Sequence, residues 1–77
     1  MNRQQLLKRI EINPEIMLGK AVIKGTRLPV ELVIEKLAYG HTEVDLLEAY
    51  PSLKKGDLQA ALLYAANCLS QEEVFDL

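Results

Sequence analysis

The residues best suited to bind a ligand in this sequence are five cationic side chains in two short clusters. They are Lys20, Lys24, Arg27, Lys54 and Lys55. The first three lie in the stretch MLGKAVIKGTRLPVELVI, residues 17–34. Lysine and arginine contacts to phosphate supply much of the affinity of a protein for nucleic acid. The alternative, ordinary solvation of surface charges, stays open for each residue taken singly.

The distribution of charge along the chain favours a binding surface near its beginning. Residues 1–27 contain six basic and two acidic residues, a net charge of +4. Residues 28–77 contain three basic and nine acidic residues, a net charge of −6. Such asymmetry is typical of proteins that bind nucleic acid or a partner protein. A self-complementary oligomer, or chance in so short a chain, would give the same pattern.

No group of residues has the pattern of an enzyme's active site, which needs titratable groups that converge in a pocket. Ser52 and Ser70 lie in predicted turns, Cys68 lies in an apolar helix, and His41 follows a glycine in a loop. A single cysteine and a single histidine exclude an internal disulfide and disfavour a zinc site. We therefore expect no catalytic activity, no metal and no cofactor.

The Lys-Gly-Thr-Arg sequence in the first cluster also has the features of a structural junction. Ala21-Val22-Ile23 predicts a short strand, and Gly25 suits a positive φ after it. Pro29 suits the first position of a helix, because its missing N–H would be unpaired there. We expect Thr26 to bond the adjacent helix end or a nearby carboxylate and so to fix the junction. For Arg27, a structural anchor and a phosphate contact are equally expected.

Apolar periodicity predicts three helices after this junction. The first runs from Pro29 to a stop at Gly40, the second spans residues 43–50, and the third spans residues 55–69. A capping box formed by Thr42 and Asp45 opens the second helix. Its expected core face comprises Val44, Leu47 and Tyr50, with Leu46 beside it.

The third predicted helix is apolar almost all the way round. Its expected core stripe is Leu58, Ala61, Leu62, Ala65, Ala66 and Leu69. Leu63 and Tyr64 lie outside that stripe. A helix of this kind is usually buried on more than one side, and 77 residues offer little protein to cover both sides. We therefore expect Leu63 and Tyr64 to cover a second subunit in a homodimer, with an unusually enclosed core helix as the alternative.

The two ends of the chain each leave two alternatives open. Residues 1–9 are either a short helix or a flexible arm, and Ile10-Glu11-Ile12 predicts a strand after them. Ser70 begins a second capping-box pattern, which predicts a last short helix containing Val74 and Phe75. The alternative is an arm that becomes ordered only on a partner, and both residues then belong to the partner surface.

The second and third predicted helices, joined through Pro51-Ser52-Leu53, have the proportions of a helix-turn-helix. In that motif the second helix enters the major groove of DNA. Here residues 56–69 contain no lysine or arginine. If duplex DNA is bound, the five cations are the better candidates, and a protein–protein module without DNA binding is the alternative.

Three segments together resemble the bacterial domain-of-unknown-function family numbered 433. They read GKAVIKGTRLPVELVIEKLAYG, YPSL and DLQAALLYAA, and the resemblance covers about residues 10–67. The family pattern contains Gly-Thr-Arg-hydrophobic-Pro-Val, a Tyr-Pro-x-Leu link and a final helix with Ala-Ala-Leu-x-Tyr-Ala. Ala21 stands where the family usually has proline, and Lys54 where a serine or threonine would cap the last helix. Gly56 weakens the first turn of that helix.

The resemblance implies a non-enzymatic prokaryotic domain with short strands and a homeodomain-like helix-turn-helix core. Members of the family are often regarded as antitoxins that pair with a small PIN-like nuclease toxin. An antitoxin of this kind must bind its toxin, and it commonly represses its own operon as a dimer. The resemblance therefore implies a homodimer, a nuclease partner and duplex DNA as binding partners.

We expect a mainly α fold in one domain over residues 1–77. Short strands and a turn occupy residues 10–28, a three-helix, homeodomain-like core occupies 29–69, and 70–77 form a tail. No apolar run approaches the roughly 20 residues that span a bilayer, and the first residues lack the apolar run of a signal peptide. A lone thiol fits a reducing compartment, so we expect a cytoplasmic protein.

Overall fold

The computed structural model of the chain describes residues 1–15 and 17–70. Within these residues the architecture is mixed α/β, with a three-stranded antiparallel sheet and four α-helices. The elements are α1 (Arg3–Leu7), β1 (Ile10–Ile12), β2 (Ala21–Ile23), β3 (Leu28–Pro29), α2 (Val30–Ala38), α3 (Glu43–Ala49) and α4 (Asp57–Ser70). A single 3₁₀ turn, Met17–Gly19, precedes β2. None of the described helices is long and apolar enough to cross a membrane.

The sheet has the order β1-β2-β3, so β2 is its central strand. Ile10 lies opposite Ile23, and Ile23 lies opposite Leu28 on the other side. The predicted strands β1 and β2 are present, but β3 was not predicted, and the expectation that Pro29 opens the helix was wrong by one position. Pro29 is the extended residue before α2, with φ −62° and ψ 140°. A φ of this size suits both an extended residue and the first residue of a helix. On an edge strand, the missing N–H of proline removes no hydrogen bond from the sheet.

The turn between β2 and β3 is fixed by Gly25 and Thr26. Gly25 has a φ of +85°, as the sequence indicates. The Thr26 hydroxyl donates to the carbonyl of Ile23 at 2.7 Å and accepts from the N–H of Leu28 at 2.9 Å. Both partners lie in the turn itself, so the expected bond of Thr26 to the helix end or to a carboxylate was wrong. Threonine side chains stabilise turns by such local bonds. Arg27 completes the turn with a φ of +61°. This left-handed conformation is unfavourable for residues other than glycine.

Replacing Thr26 with valine tests this turn. The substitution keeps the branched shape and removes both hydroxyl bonds, so we expect the free energy of unfolding to fall by about 1–2 kcal/mol. Urea unfolding followed by circular dichroism measures it. Thr26→Ser keeps the hydroxyl and is expected to lose less than half as much. Equal losses in the two variants would show that the hydroxyl bonds do not stabilise the turn.

The N-terminal residues form a helix, which decides between the two alternatives for residues 1–9. The side chain of Asn2 accepts from the N–H of Gln5 at 2.8 Å, and the Gln5 side chain accepts from the N–H of Asn2 at 3.0 Å. This reciprocal capping box starts α1. Helix α1 packs against α4, and the Arg3 guanidinium donates to the side chain of Asn67.

The hydrophobic core lies between the sheet and the three later helices. Its buried side chains are Ile23, Val30, Val33, Leu46, Leu53, Leu58 and Ala61. On α3 the core residue is Leu46, whereas Val44 is 62% exposed. The expected core face of this helix was therefore wrong for Val44. Residues two apart lie on nearly opposite sides of a helix, so Val44 and Leu46 cannot both face the core.

The predicted capping box at the start of α3 is present. Asp45 accepts from the N–H of Thr42 at 2.8 Å, and the Thr42 hydroxyl accepts from the N–H of Asp45 at 3.1 Å. These hydrogen bonds from Thr42 hold the pKa of the Asp45 carboxyl below its ordinary value. A carboxylate in the first turn also interacts favourably with the helix dipole.

Helix α4 is buried only along its first two turns. Leu58, Ala60 and Ala61 are buried, but Leu62 is 50% and Leu69 62% exposed. Leu62, Ala66 and Leu69 were expected in the core stripe, and this expectation was wrong for all three. The helix also begins at Asp57 rather than at residue 55. A tight turn that contains Gly56 occupies the positions before it.

The connection between α3 and α4 spans residues 50–56. A helix-turn-helix joins its two helices by a turn of about three or four residues. The structure therefore establishes a small mixed α/β domain, and it does not establish a homeodomain-like helix-turn-helix core.

Candidate nucleic-acid interface

A cleft lined by basic side chains lies where the α1–β1 connection, the β2–β3 turn and the start of α4 meet. Its volume is about 450 Å³. The lining residues are Lys8, Arg9, Lys24, Gly25, Lys54 and Asp57. We call this site the basic cleft. Among the described residues it gathers four cationic side chains around one carboxylate, so its charge favours an anionic ligand.

Backbone hydrogen bonds bring the lysines of the basic cleft together. The N–H of Lys24 donates to the carbonyl of Arg9 at 2.7 Å, which extends the β1–β2 pairing by one residue. Lys24 therefore leaves the sheet beside the end of α1, where Lys8 is the C-cap residue. Lys8, Lys24 and Lys54 are all exposed, and their ammonium groups are accessible to a ligand.

The carboxylate of Asp57 organises the other side of the cleft. Asp57 is only 4% exposed. One of its oxygens accepts from the Arg9 guanidinium at 2.8 Å, and the other accepts from the N–H of Lys54 at 2.8 Å. The same Arg9 nitrogen also donates to the carbonyl of Lys55 at 3.2 Å. The Arg9 guanidinium thus neutralises the buried carboxylate of Asp57. The ammonium groups of the three lysines remain available to bind a ligand.

A tight turn places Lys54 and Lys55 before α4. The N–H of Asp57 donates to the carbonyl of Lys54 at 3.0 Å, and Gly56 has a φ of +97°. A residue with a positive φ at the third position of such a turn is usually glycine, because glycine has no Cβ to clash there. Gly56 was expected to weaken the first turn of the helix. It lies before α4, and its positive φ allows this turn to form.

The structure brings two of the five predicted cations into the cleft, Lys24 and Lys54. Lys55 is exposed beside it and contributes its carbonyl. Lys20 lies elsewhere, where its ammonium group contacts Glu31 at 2.6 Å in an exposed ion pair. Arg27 is exposed in the β2–β3 turn and does not line the cleft.

Sequence reasoning missed Lys8 and Arg9 as members of the site. One local signal was available, because the Asn2 and Gln5 capping box marks the start of a helix. That helix fixes the direction in which residues 8 and 9 enter the first strand. The ion pair between Arg9 and Asp57 joins positions 48 residues apart, and no local pattern reports a contact at that separation.

A second concave site, about 580 Å³ in volume, lies between α2 and α4. We call it the apolar groove. Its lining residues are Lys20, Ala21, Val30, Glu31, Ile34, Glu35, Tyr64, Ala65, Cys68 and Leu69. A hydrogen bond with Cys68 and partial burial raise the pKa of Tyr64. Of the predicted partner surface, Tyr64 lines this groove and Leu63 is half-buried, while Val74 and Phe75 lie outside the described residues.

Within residues 1–15 and 17–70, no three side chains of histidine, cysteine, aspartate or glutamate gather in a way that could hold a metal ion. The carboxylate in the basic cleft is already satisfied by Arg9 and by a backbone N–H. The site therefore presents ammonium groups as its accessible chemistry.

These features define a small mixed α/β domain with a short antiparallel sheet and a basic cleft. The family profile described as "Protein of unknown function (DUF433)" matches residues 10–65, so the chain belongs to this family. A crystal structure of a DUF433 member protein from Anabaena variabilis ATCC 29413 is similar, with a TM-score of 0.76 and 35% sequence identity. That similarity covers 88% of this chain and 67% of the Anabaena chain.

A curated relative is the uncharacterized protein y4eO of Sinorhizobium fredii (strain NBRC 101917 / NGR234). It is 42% identical over 53 residues, which are 69% of this chain. The matched region is 24% of y4eO, so the chain spans about a quarter of the length of that relative.

Proposed function

We propose that this protein is a non-enzymatic regulator that binds duplex nucleic acid through the basic cleft. In its finer form, the proposal is that it acts as an antitoxin with a PIN-like nuclease as its toxin and represses its own operon, as the family resemblance implies. A homeodomain-like helix-turn-helix would be one way to present such a site. The basic cleft does not require one.

The observation that carries the proposal is the convergence of cations from three separate parts of the chain. Lys8 comes from the end of α1, Lys24 from the end of β2, and Lys54 from the turn before α4. Their charges repel one another, so gathering them costs energy unless an anion offsets it. The buried carboxylate of Asp57 is already paired with Arg9, and phosphate oxygens are a matching ligand for the three ammonium groups.

The lysines next to α4 lie only at its start. The positive end of the helix dipole is offset there by the buried carboxylate of Asp57, whose own N–H is bonded to the carbonyl of Lys54. Helix α4 is 14 residues long, and its first residue, Asp57, lines the basic cleft. Beyond that residue α4 contains no lysine or arginine up to Ser70. We therefore place the interface at the start of α4 and not along its length.

The test is the salt dependence of binding to a duplex taken from upstream of the gene. Three lysine–phosphate contacts give a slope of about −3 for the logarithm of affinity against the logarithm of salt concentration. Replacing Lys24 and Lys54 with glutamine should reduce that slope by about 2 units and weaken binding at least tenfold. Fluorescence anisotropy measures both quantities.

The matched control replaces Lys20 and Lys36 with glutamine. This pair removes the same charge from a chain of net charge −2, and neither residue lines the basic cleft. We expect the slope of log affinity against log salt concentration for this variant to stay within about 0.5 of the slope for the unmodified protein. Equal losses for the two variants would show a response to net charge alone, and an absence of binding by the unmodified protein would overturn the proposal.

A second candidate function is a protein–protein module without nucleic-acid binding. The apolar groove between α2 and α4 favours it, because binding sites are concave and mostly apolar. On this alternative the protein binds its partner equally well after the lysine substitutions. The same set of variants therefore separates the two candidate functions.

A further inference from the structure

The β2–β3 turn contains an arginine in a backbone conformation that favours glycine. Arg27 has a φ of +61°, in the left-handed region that long side chains rarely adopt. Of the described residues with a positive φ, all are glycines except Arg27 and Leu18. Unfavourable backbone conformations of this kind concentrate at sites where the side chain has a function that glycine could not supply.

The side chain of Arg27 is the one arginine side chain that the described part of the fold does not use. The Arg3 guanidinium donates to the side chain of Asn67. The Arg9 guanidinium donates to the buried carboxylate of Asp57. Arg27 is exposed, and its guanidinium has no hydrogen bond or ion pair with another described residue. The structural anchor that the sequence offered as one alternative for Arg27 is therefore not found among these residues.

The turn holds Arg27 in a fixed position beside the basic cleft. The Thr26 hydroxyl is bonded to the last residue of β2 and to the first residue of β3, which fixes the backbone around Arg27. Lys24 and Gly25, in the same turn, line the basic cleft. The Cα atoms of Lys24 and Arg27 lie within about 11 Å of each other, because only three residue steps separate them. The major groove of B-DNA is about 12 Å wide and admits a two-stranded β-ribbon. A lysine on a phosphate at the edge of the groove therefore brings Arg27 within reach of the bases.

We infer that Arg27 is the residue that gives the proposed interface its sequence specificity, by recognising a guanine in the major groove. The guanidinium group is a planar fork, and it donates two hydrogen bonds at once to the N7 and O6 atoms of guanine. Pairs of this kind are the commonest specific contact between a protein and a base. The inference rests on the proposed function, because it requires a duplex bound at the basic cleft.

The cations at the interface divide into two chemical kinds. The three lysines that line the basic cleft carry ammonium groups, which bind phosphate as point charges. Phosphate contacts position a protein on the duplex and carry no sequence information directly. The fork of Arg9 is already bonded to Asp57. Among the described cations in and beside the cleft, only Arg27 presents an accessible planar pair of donors. The lysines thus supply affinity and salt dependence, and Arg27 supplies discrimination between bases.

The test is selection of bound sequences from a pool of short duplexes of random sequence, with the full chain as the selecting protein. We expect a guanine at one position to be enriched at least about fivefold. Arg27→Lys keeps the charge and removes the planar fork, so it should lose this enrichment. Its slope of log affinity for the pool against log salt concentration should change by less than about 0.5. Arg3→Lys is the matched control, because it makes the same change at an arginine bonded within the fold, and it should keep the enrichment. Circular dichroism confirms that each variant is folded.

A guanine preference that Arg27→Lys abolishes and Arg3→Lys keeps supports the inference. Binding without a guanine preference, or a preference that both variants keep or both lose, would overturn the inference and leave the proposed function standing. No binding of the pool by the unmodified protein would overturn both.

Arg27→Gly gives a second measurement that needs no nucleic acid. Glycine suits the left-handed φ of this position, so we expect the urea concentration at the midpoint of unfolding to stay the same or rise. A lower midpoint would show that the Arg27 side chain stabilises the turn, and it would overturn the inference that the side chain is reserved for a ligand.

Discussion

Replacing Arg9 with methionine is expected to lower the free energy of unfolding by about 3 kcal/mol. The substitution leaves the carboxylate of Asp57, whose side chain is only 5% exposed, without its cationic partner. Removing one member of a buried ion pair costs about 3–5 kcal/mol, because the other charge stays buried. The Arg9 side chain is 30% exposed, so solvent offsets part of that cost. Chemical denaturation monitored by circular dichroism measures the change.

A double-mutant cycle isolates the ion pair. Arg9→Met combined with Asp57→Asn removes both charges. We expect the free energy of unfolding of this double variant to fall by less than the sum of the two single losses. Lys20→Met is the matched control, because Lys20 and Glu31 also form an ion pair but in an exposed position. Exposed pairs contribute less than about 1 kcal/mol. Equal losses for Arg9→Met and Lys20→Met would contradict the role assigned to Asp57.

The second large effect is expected at Gly56. Gly56→Ala should lower the free energy of unfolding by about 2–3 kcal/mol for two reasons. The residue has a φ of +97°, which strains any side chain. A Cβ there would also lie 2.5 Å from the Cε atom of Met1 and 3.3 Å from the Cζ atom of Arg9. Met1 can move aside, whereas moving Arg9 weakens its contact with Asp57.

Gly40→Ala separates these two causes. Gly40 has the same φ of +97°, and nothing lies within 4 Å of its added Cβ. Its substitution therefore reports the backbone strain alone, which we expect to cost about 1 kcal/mol. The excess loss in Gly56→Ala measures the displacement of Arg9. If the two alanine variants unfold at the same denaturant concentration, packing around Gly56 is unimportant and the description of this side of the cleft is wrong.

Local patterns were enough to predict much of the fold. The alternation in Ile10-Glu11-Ile12 and the β-branched run after Lys20 gave two strands, because a strand places every second side chain on one face. The positive φ of Gly25 and the capping box of Thr42 and Asp45 also followed from the sequence. Each of these features is decided within about four residues, where sequence spacing and spatial distance are closely related.

The missed features depend on contacts between distant segments. Strand β3 exists because Pro29 pairs with Val22 across a turn, and neither residue type indicates it alone. The exposure of Leu62 and Leu69 could not be predicted either, since periodicity shows which residues share a face but not how far along a helix the core extends. The basic cleft required Lys8 and Lys24 to meet across the start of the sheet.

The proposal that the basic cleft binds nucleic-acid phosphate is tested most directly by nuclear magnetic resonance. Amide signals of the ¹⁵N-labelled chain are recorded while an upstream duplex is added. We expect the largest changes at Lys8, Lys24, Gly25 and Lys54, with little change around Tyr64. Changes confined to the apolar groove, or no changes at any duplex concentration, would contradict the account.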